Sequence, residues 1–172
     1  MKKEINNNII ENSYYMIYLF QKNDKEITNL KLQKLMYFVE AYYTAKNDCD
    51  KLFDTEWSAW DYGPVNKELY NYYKKFRSIP IILEDNEKEI AESLCEENKN
   101  YISFIYGIFS PFTAFELVTL THLDGSPWSK VYKENEKNKD YDFEELNDSK
   151  IKKEETKEWF KSKFDFILEV GE

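Results

Sequence analysis

From Thr28 onward the chain sets Leu32, Leu35, Met36, Val39, Tyr42 and Tyr43 at helical spacing. That long apolar stripe stands behind a good N-cap residue, and only a helix covered by neighbours buries it. It predicts the central helix of the domain and a mainly α fold. A length of 172 residues is that of one domain, enough to bury a core without disulfide or metal staples. Aromatic residues make up 17% of it, so Phe, Tyr and Trp should dominate the core, with tyrosine hydroxyls at its edge. The expectation is a single compact domain of about six helices with a short β-hairpin or extended segments.

The segment from Trp57 to Val65 packs two tryptophans, a tyrosine and a Gly-Pro pair into a short space. Leu52 to Trp60 carries aromatics and Thr without helical period, which reads as a short strand or hairpin. Gly63 then suits a helix N-cap and Pro64 the first helical position, ahead of Val65, Leu69, Tyr72, Tyr73 and Phe76 at helical spacing.

Elsewhere the pattern predicts a first helix from about Ile5 to Lys22, and an extended edge segment from Ser78 to Leu83, where Pro80 forbids a central strand. Glu84 to Asn100 reads as a solvated helix face leading to Ile105, Ile108 and Phe109, with Gly107 and Ser110-Pro111 ending it. Tyr101 to Phe115 carries no charge, but it is too short to span a membrane comfortably and reads as a buried core helix. Thr113 and Glu116 form a capping box with Phe112 and Leu117 as a staple, opening a helix from about Ala114 to Leu123. Asp124-Gly125 stops it and Ser126-Pro127 restarts a short helix through Tyr132. Lys133 to Ser149 reads as a surface loop. A last helix from about Glu154 should bury Trp159, Phe160, Phe164 and Ile167.

The formal net charge is −9, and Arg77 is the only arginine among 24 basic residues. Phosphate and base-edge recognition lean on arginine forks and a basic face, so the balance disfavours nucleic acid and suits a basic protein partner. Cys49 and Cys95 have no metal-site spacing and read as reduced thiols of a cytosolic protein; the N-terminus is not a signal peptide. His122 is the only histidine, which excludes a two-histidine metal site. It falls in the last turn of a helix, where a cationic imidazole meets the helix dipole favourably, a structural use. No nucleophile–base pair and no phosphate-cradling glycine loop is visible, so no catalytic, metal or cofactor site is expected and the chain reads as a non-enzyme. Thr28 to Lys34 offers Asn29, Gln33 and Lys34 at a helix start, the side-chain types of a DNA-reading helix, and keeps a regulator as the alternative.

Taken in order, Leu30 to Phe38, Leu52-Phe53, Ala59-Trp60, Gly63-Pro64-Val65 with Tyr70, Tyr106-Gly107, Thr121-His122 and Pro127-Trp128 resemble the signature of the Panacea domain. That domain occurs in SocA-like antitoxins and phage-associated GepA-like proteins. The resemblance runs from about Thr28 to Tyr132, leaving an acidic loop at 133–150 and a C-terminal helix at 151–172. It implies a cytoplasmic bacterial or phage-borne antitoxin that neutralises a toxin encoded beside it, and in the SocA-like case delivers that toxin to a bacterial AAA+ protease. As the residues themselves read, no cofactor, metal or membrane is expected. Among the motif residues, Lys34, Tyr37, Trp60, Gly63, Pro64, Tyr70, Thr121, His122, Pro127 and Trp128 read as braces of the fold. Trp57 and Tyr62 read as exposed aromatics that anchor the partner. The alternative remains a DNA-binding transcriptional regulator of a phage or mobile element.

Overall fold

The computed structural model describes residues 4–48, 50–137 and 149–170, so Cys49 and most of the expected acidic loop lie outside it. Within the described residues the chain forms eight α-helices, one 3₁₀ turn and a two-stranded antiparallel sheet. The helix α1 (Ile9–Lys22) starts four residues later than expected, because Asn8 caps it by accepting from the N–H of Ile10 and Glu11.

The helix α2 (Asn29–Lys46) is capped by Thr28, as its sequence predicts. It is more than a striped helix: every residue from Leu32 to Ala45 is buried. Burial on all sides is what a helix at the centre of a domain shows. It contacts α1, α3 (Lys67–Tyr73), α5 (Glu96–Phe109), α6 (Ala114–Thr121), the sheet and the last helix, α8 (Lys153–Val170). Phe38 stacks on Phe109 with ring centroids 4.6 Å apart, and Tyr42 on Phe104 at 4.8 Å. Trp159, Phe160, Phe164 and Ile167 are all buried against this core. Phe164 leaves helical geometry (φ −131°, ψ 28°), and its ring reaches Phe38, Phe109, Trp159 and Phe160.

The hairpin corrects the reading of the Gly-Pro pair. Gly63–Val65 is strand β2, paired antiparallel with β1 (Ser58–Trp60) in the register Trp60–Gly63, Ala59–Pro64 and Ser58–Val65. Pro64 costs the ladder nothing, since the Ala59 N–H turns away to the Ser149 carbonyl at 3.0 Å. The following helix begins at Lys67 under an Asn66 cap, whose side-chain oxygen accepts from the Leu69 N–H at 2.9 Å. Asn has an acceptor to offer the helix end and Gly has none, which is why the helix starts three residues later than expected.

The acid-rich stretch is two helices, α4 (Asp85–Ser93) and α5, separated by the extended pair Leu94-Cys95. Asn98 explains the break: buried at the start of α5, it bonds Cys95 Sγ, the Asn12 side chain and both backbone groups of Asn6. α5 runs through Gly107 to Phe109. The uncharged stretch then bends by 102° between α5 and α6, and no single helix among the described residues is long and apolar enough to cross a membrane.

The capping box at Thr113 and Glu116 forms, and α6 ends at Thr121 with His122 as its C-cap. The helix α7 (Pro127–Lys137) is longer than expected and takes in the first residues of the expected loop. The expected extended segment holds only from Pro80 to Leu83, since Ser78 and Ile79 turn back after the 3₁₀ turn (Lys74–Phe76), with the Ile79 N–H bonded to the Phe76 carbonyl. Ile81 and Leu83 are buried, Ile79 and Ile82 exposed, and the Ile81 N–H bonds the Ile27 carbonyl at 2.9 Å.

Candidate functional site

Where α2, the hairpin and α3 meet, they enclose a groove of about 510 Å³. Leu30, Trp60, Val65 and Tyr70 give it apolar walls; Asn29, Gln33, Asp61 and Arg77 supply polar edges. Trp60 and Tyr70 meet edge to face at 5.0 Å. Gln33 fixes one side: its Oε1 accepts from the Asn66 N–H at 2.9 Å and its Nε2 donates to the Asn66 carbonyl at 3.4 Å, tying α2 to the start of α3. Asn66 in turn donates to Thr55 Oγ1 and the Glu56 carbonyl. Asn29 is buried, and its Oδ1 has no hydrogen-bond partner among the described residues.

Tyr62, in the hairpin turn, stands at the mouth, 61% exposed. Its ring meets that of Phe115, itself 65% exposed, at 6.3 Å. The two largely exposed rings therefore form one apolar patch bridging the hairpin and α6. Trp57 is corrected: it is not an exposed aromatic but 5% exposed, edge to face against Tyr37 at 5.3 Å. In the hairpin the tryptophan nearer the surface is Trp60, which lines the groove.

Behind the groove, Lys34, Gly63, Pro64, Thr121, His122, Pro127 and Trp128 pack as one cluster. Lys34 is fully buried and its Nζ donates to the Pro64 carbonyl at 2.7 Å. Burial pushes this ammonium down to about 7. Trp128 Nε1 donates to the Trp60 carbonyl at 2.7 Å, holding α7 to the hairpin. The His122 ring lies flat on Trp128, 3.6 Å away and 3° from parallel. The expectation of a cationic imidazole is overturned: burial first, and then the Lys34 charge, hold His122 below its ordinary 6.5, and its Nε2 has no hydrogen-bond partner among the described residues. Ser126 joins α6 to α7, its hydroxyl donating to the Thr121 carbonyl and accepting from the Ser129 N–H. Tyr37 is set apart from this cluster, its hydroxyl 3.4 Å from Thr156 Oγ1.

The side chains offered for reading DNA are inside. Asn29, Gln33 and Lys34 are all buried, and Lys31 donates to the Ser110 carbonyl at 2.7 Å. No group of three or more His, Cys, Asp or Glu among the described residues is placed to hold a metal ion.

Sequence reasoning missed Asn66 and Phe115, and read Asn29 as a base-reading side chain where the structure buries it beside the groove. Asn66 was legible as a cap residue ahead of Leu69 and Tyr73, but Gly63-Pro64 offered a competing start. Nothing local marks Phe115 or the burial of Asn29, because their surroundings depend on chain brought from elsewhere.

A family model described as antitoxin SocA-like, Panacea domain, matches residues 32–129. The match takes in the hairpin, most of α2, both helices of the bend and the first turn of α7. No curated protein and no solved structure matches the chain.

Proposed function

The chain belongs to the family of antitoxins with a SocA-like Panacea domain, and from that membership we propose that it neutralises a cognate toxin by direct protein–protein binding. The partner is the product of the adjacent gene, met in the cytoplasm, and the chain acts without catalysis. The observation that carries this reading beyond the family is the groove with Tyr62 at its mouth and Phe115 against Tyr62. Two exposed aromatics beside a partly apolar concavity have the composition of a binding hot spot, and they lie on elements that the family match covers. Handing the bound toxin to an AAA+ protease is a further step that such a complex would permit.

Co-expression tests the proposal. The adjacent gene product expressed alone should arrest growth, and the chain should restore growth and co-purify with it in fixed stoichiometry. A neighbour that is harmless alone, or that still kills beside a well-expressed chain, would overturn the reading.

A further inference from the structure

A second cavity, of about 230 Å³, opens between the C-terminal half of α2, the segment leading into β1 and the first turn of α8; it shares no residue with the groove. Its wall holds buried polar groups that folding has left without partners. Thr44 is 1% exposed and Trp57 5%, yet neither Thr44 Oγ1 nor Trp57 Nε1 has a hydrogen-bond partner among the described residues. Burying such groups unpaired is costly, so two beside one cavity ask for a ligand that the chain does not supply. Glu40 stands with them. Its Oε2 accepts from the Leu52 and Phe53 N–H groups at 3.0 and 3.2 Å, and burial raises the carboxyl to about 7, so near neutrality it is as often a donor as an anion.

The rim is cationic in a chain of net charge −9: four lysines against three glutamates line the cavity. Lys150 pairs with Glu56 at 3.3 Å, whereas the side chains of Lys51, Lys152 and Lys153 have no ion pair or hydrogen bond among the described residues. The first turn of α8 adds the positive end of a helix that runs unbroken as far as the kink at Phe164, and Glu154 and Glu155 in that turn offset part of it. Unpaired donors inside, ammonium groups outside and a helix N-terminus between them call for a compact anion with several acceptor oxygens.

We propose that this cavity binds a small phosphate-bearing anion, seated against the first turn of α8 among Lys51, Lys152 and Lys153, with one oxygen accepting from the Trp57 indole and the Thr44 hydroxyl. The volume falls below the ~300–1,000 Å³ of drug-sized sites, which restricts the ligand to inorganic phosphate or the phosphomonoester of a small fragment. Phosphate presents oxygens in several directions, towards the inner donors and the three lysines at once, where a planar carboxylate presents two. The site is independent of the antitoxin reading and stands or falls without it.

The test is a titration of the whole chain, followed by ¹H–¹⁵N NMR, with sodium phosphate in one arm and glycerol 3-phosphate in the other, ionic strength held constant with sodium chloride. The indole N–H of Trp57 is identified through its contact with Tyr37. Binding should displace that signal saturably, while the other indoles stay still. Lys51→Gln with Lys153→Gln, both at exposed positions, should weaken binding about tenfold or more, as should Thr44→Val; Lys75→Gln on the 3₁₀ turn should not. Saturation by phosphate alone or by the ester as well both support the site and identify its source. No saturation with either probe, or a displacement that survives the lysine pair, overturns it.

Discussion

A Cβ on Gly63 would stand 2.6 Å from the Thr121 hydroxyl oxygen and 3.2 Å from Lys34 Cε, while the residue itself sits at φ +95°. Glycine is thus required twice, by the backbone and by the approach of α6 to β2. Gly63→Ala should lose about 2–4 kcal/mol of stability in urea denaturation. Thr121→Ala removes the hydroxyl, whose only bond among the described residues runs to the Val118 carbonyl within its own helix, and should cost about 1 kcal/mol. The double variant should be less destabilised than the sum, because the closest clash is gone and only the strain at positive φ and the tighter approach of Lys34 Cε are left. Strict additivity would mean that α6 moves aside freely.

Lys34 makes stability depend on pH in a defined direction. Its ammonium is held at about 7 in the folded protein against 10.5 when exposed, so between those values the unfolded chain binds the extra proton. Stability should therefore rise with pH from about 7 to about 10.5, and below that window Lys34 adds no further slope. Lys34→Met keeps the volume, removes the charge and leaves the Pro64 carbonyl without its donor. It should change stability at neutral pH by about 1 kcal/mol at most and flatten the slope above it. An unchanged slope in chemical denaturation across that range would assign the effect to another group.

These contacts also mark what the sequence could disclose. Thr28, the Thr113–Glu116 box and the run Trp159, Phe160, Phe164, Ile167 act within one helix, so spacing alone revealed them. Gly63-Pro64 satisfied the local rule for a helix start, but Trp60 and Asn66 outvoted it, one as a strand partner and one as the better cap. The break at Leu94-Cys95 is set by Asn98 reaching Asn12 and Asn6, far along the chain, and no periodicity carries that information. Of the candidate site, residue types near Trp60 and Tyr62 were readable. Which tryptophan faces out was not, since the Trp57 ring packs on Tyr37 from α2 and its carbonyl accepts from the Ile151 N–H ahead of α8, both far along the chain.

Glu40 gives the opposite pH signature. Its carboxyl is raised from 4.5 to about 7 by burial, so the folded protein holds a proton that the unfolded chain has released. That contribution is fully present below about 4.5 and is lost as pH rises through about 7. Glu40→Gln keeps an oxygen for the Leu52 and Phe53 N–H groups without the charge. It should be as stable as the parent or about 1 kcal/mol more stable at pH 8. Glu40→Ala leaves both N–H groups unpaired and should lose about 2–4 kcal/mol. A Gln variant that falls with the Ala variant would mean that the charge itself is needed.

Tyr62 and Phe115 separate binding from folding. Both rings are mostly in solvent and touch each other, so neither contributes much to the core. Tyr62→Ala and Phe115→Ala together should shift the stability of the isolated chain by about 0.5 kcal/mol at most, the range of surface substitutions. If the groove mouth is where the toxin docks, the same pair should weaken the complex by about 2 kcal/mol or more and abolish rescue of growth, since truncated aromatic anchors cost that much at interfaces. Ile79→Ala with Ile82→Ala, exposed apolar side chains just before and within the extended segment, provides the control and should leave rescue intact. Denaturation of each variant alone, then calorimetry against the purified toxin, reads the two effects separately. Full affinity in the Tyr62/Phe115 variant would move the docking face elsewhere while leaving the antitoxin reading in place, whereas loss of affinity in the Ile79/Ile82 control would place the interface on the extended segment.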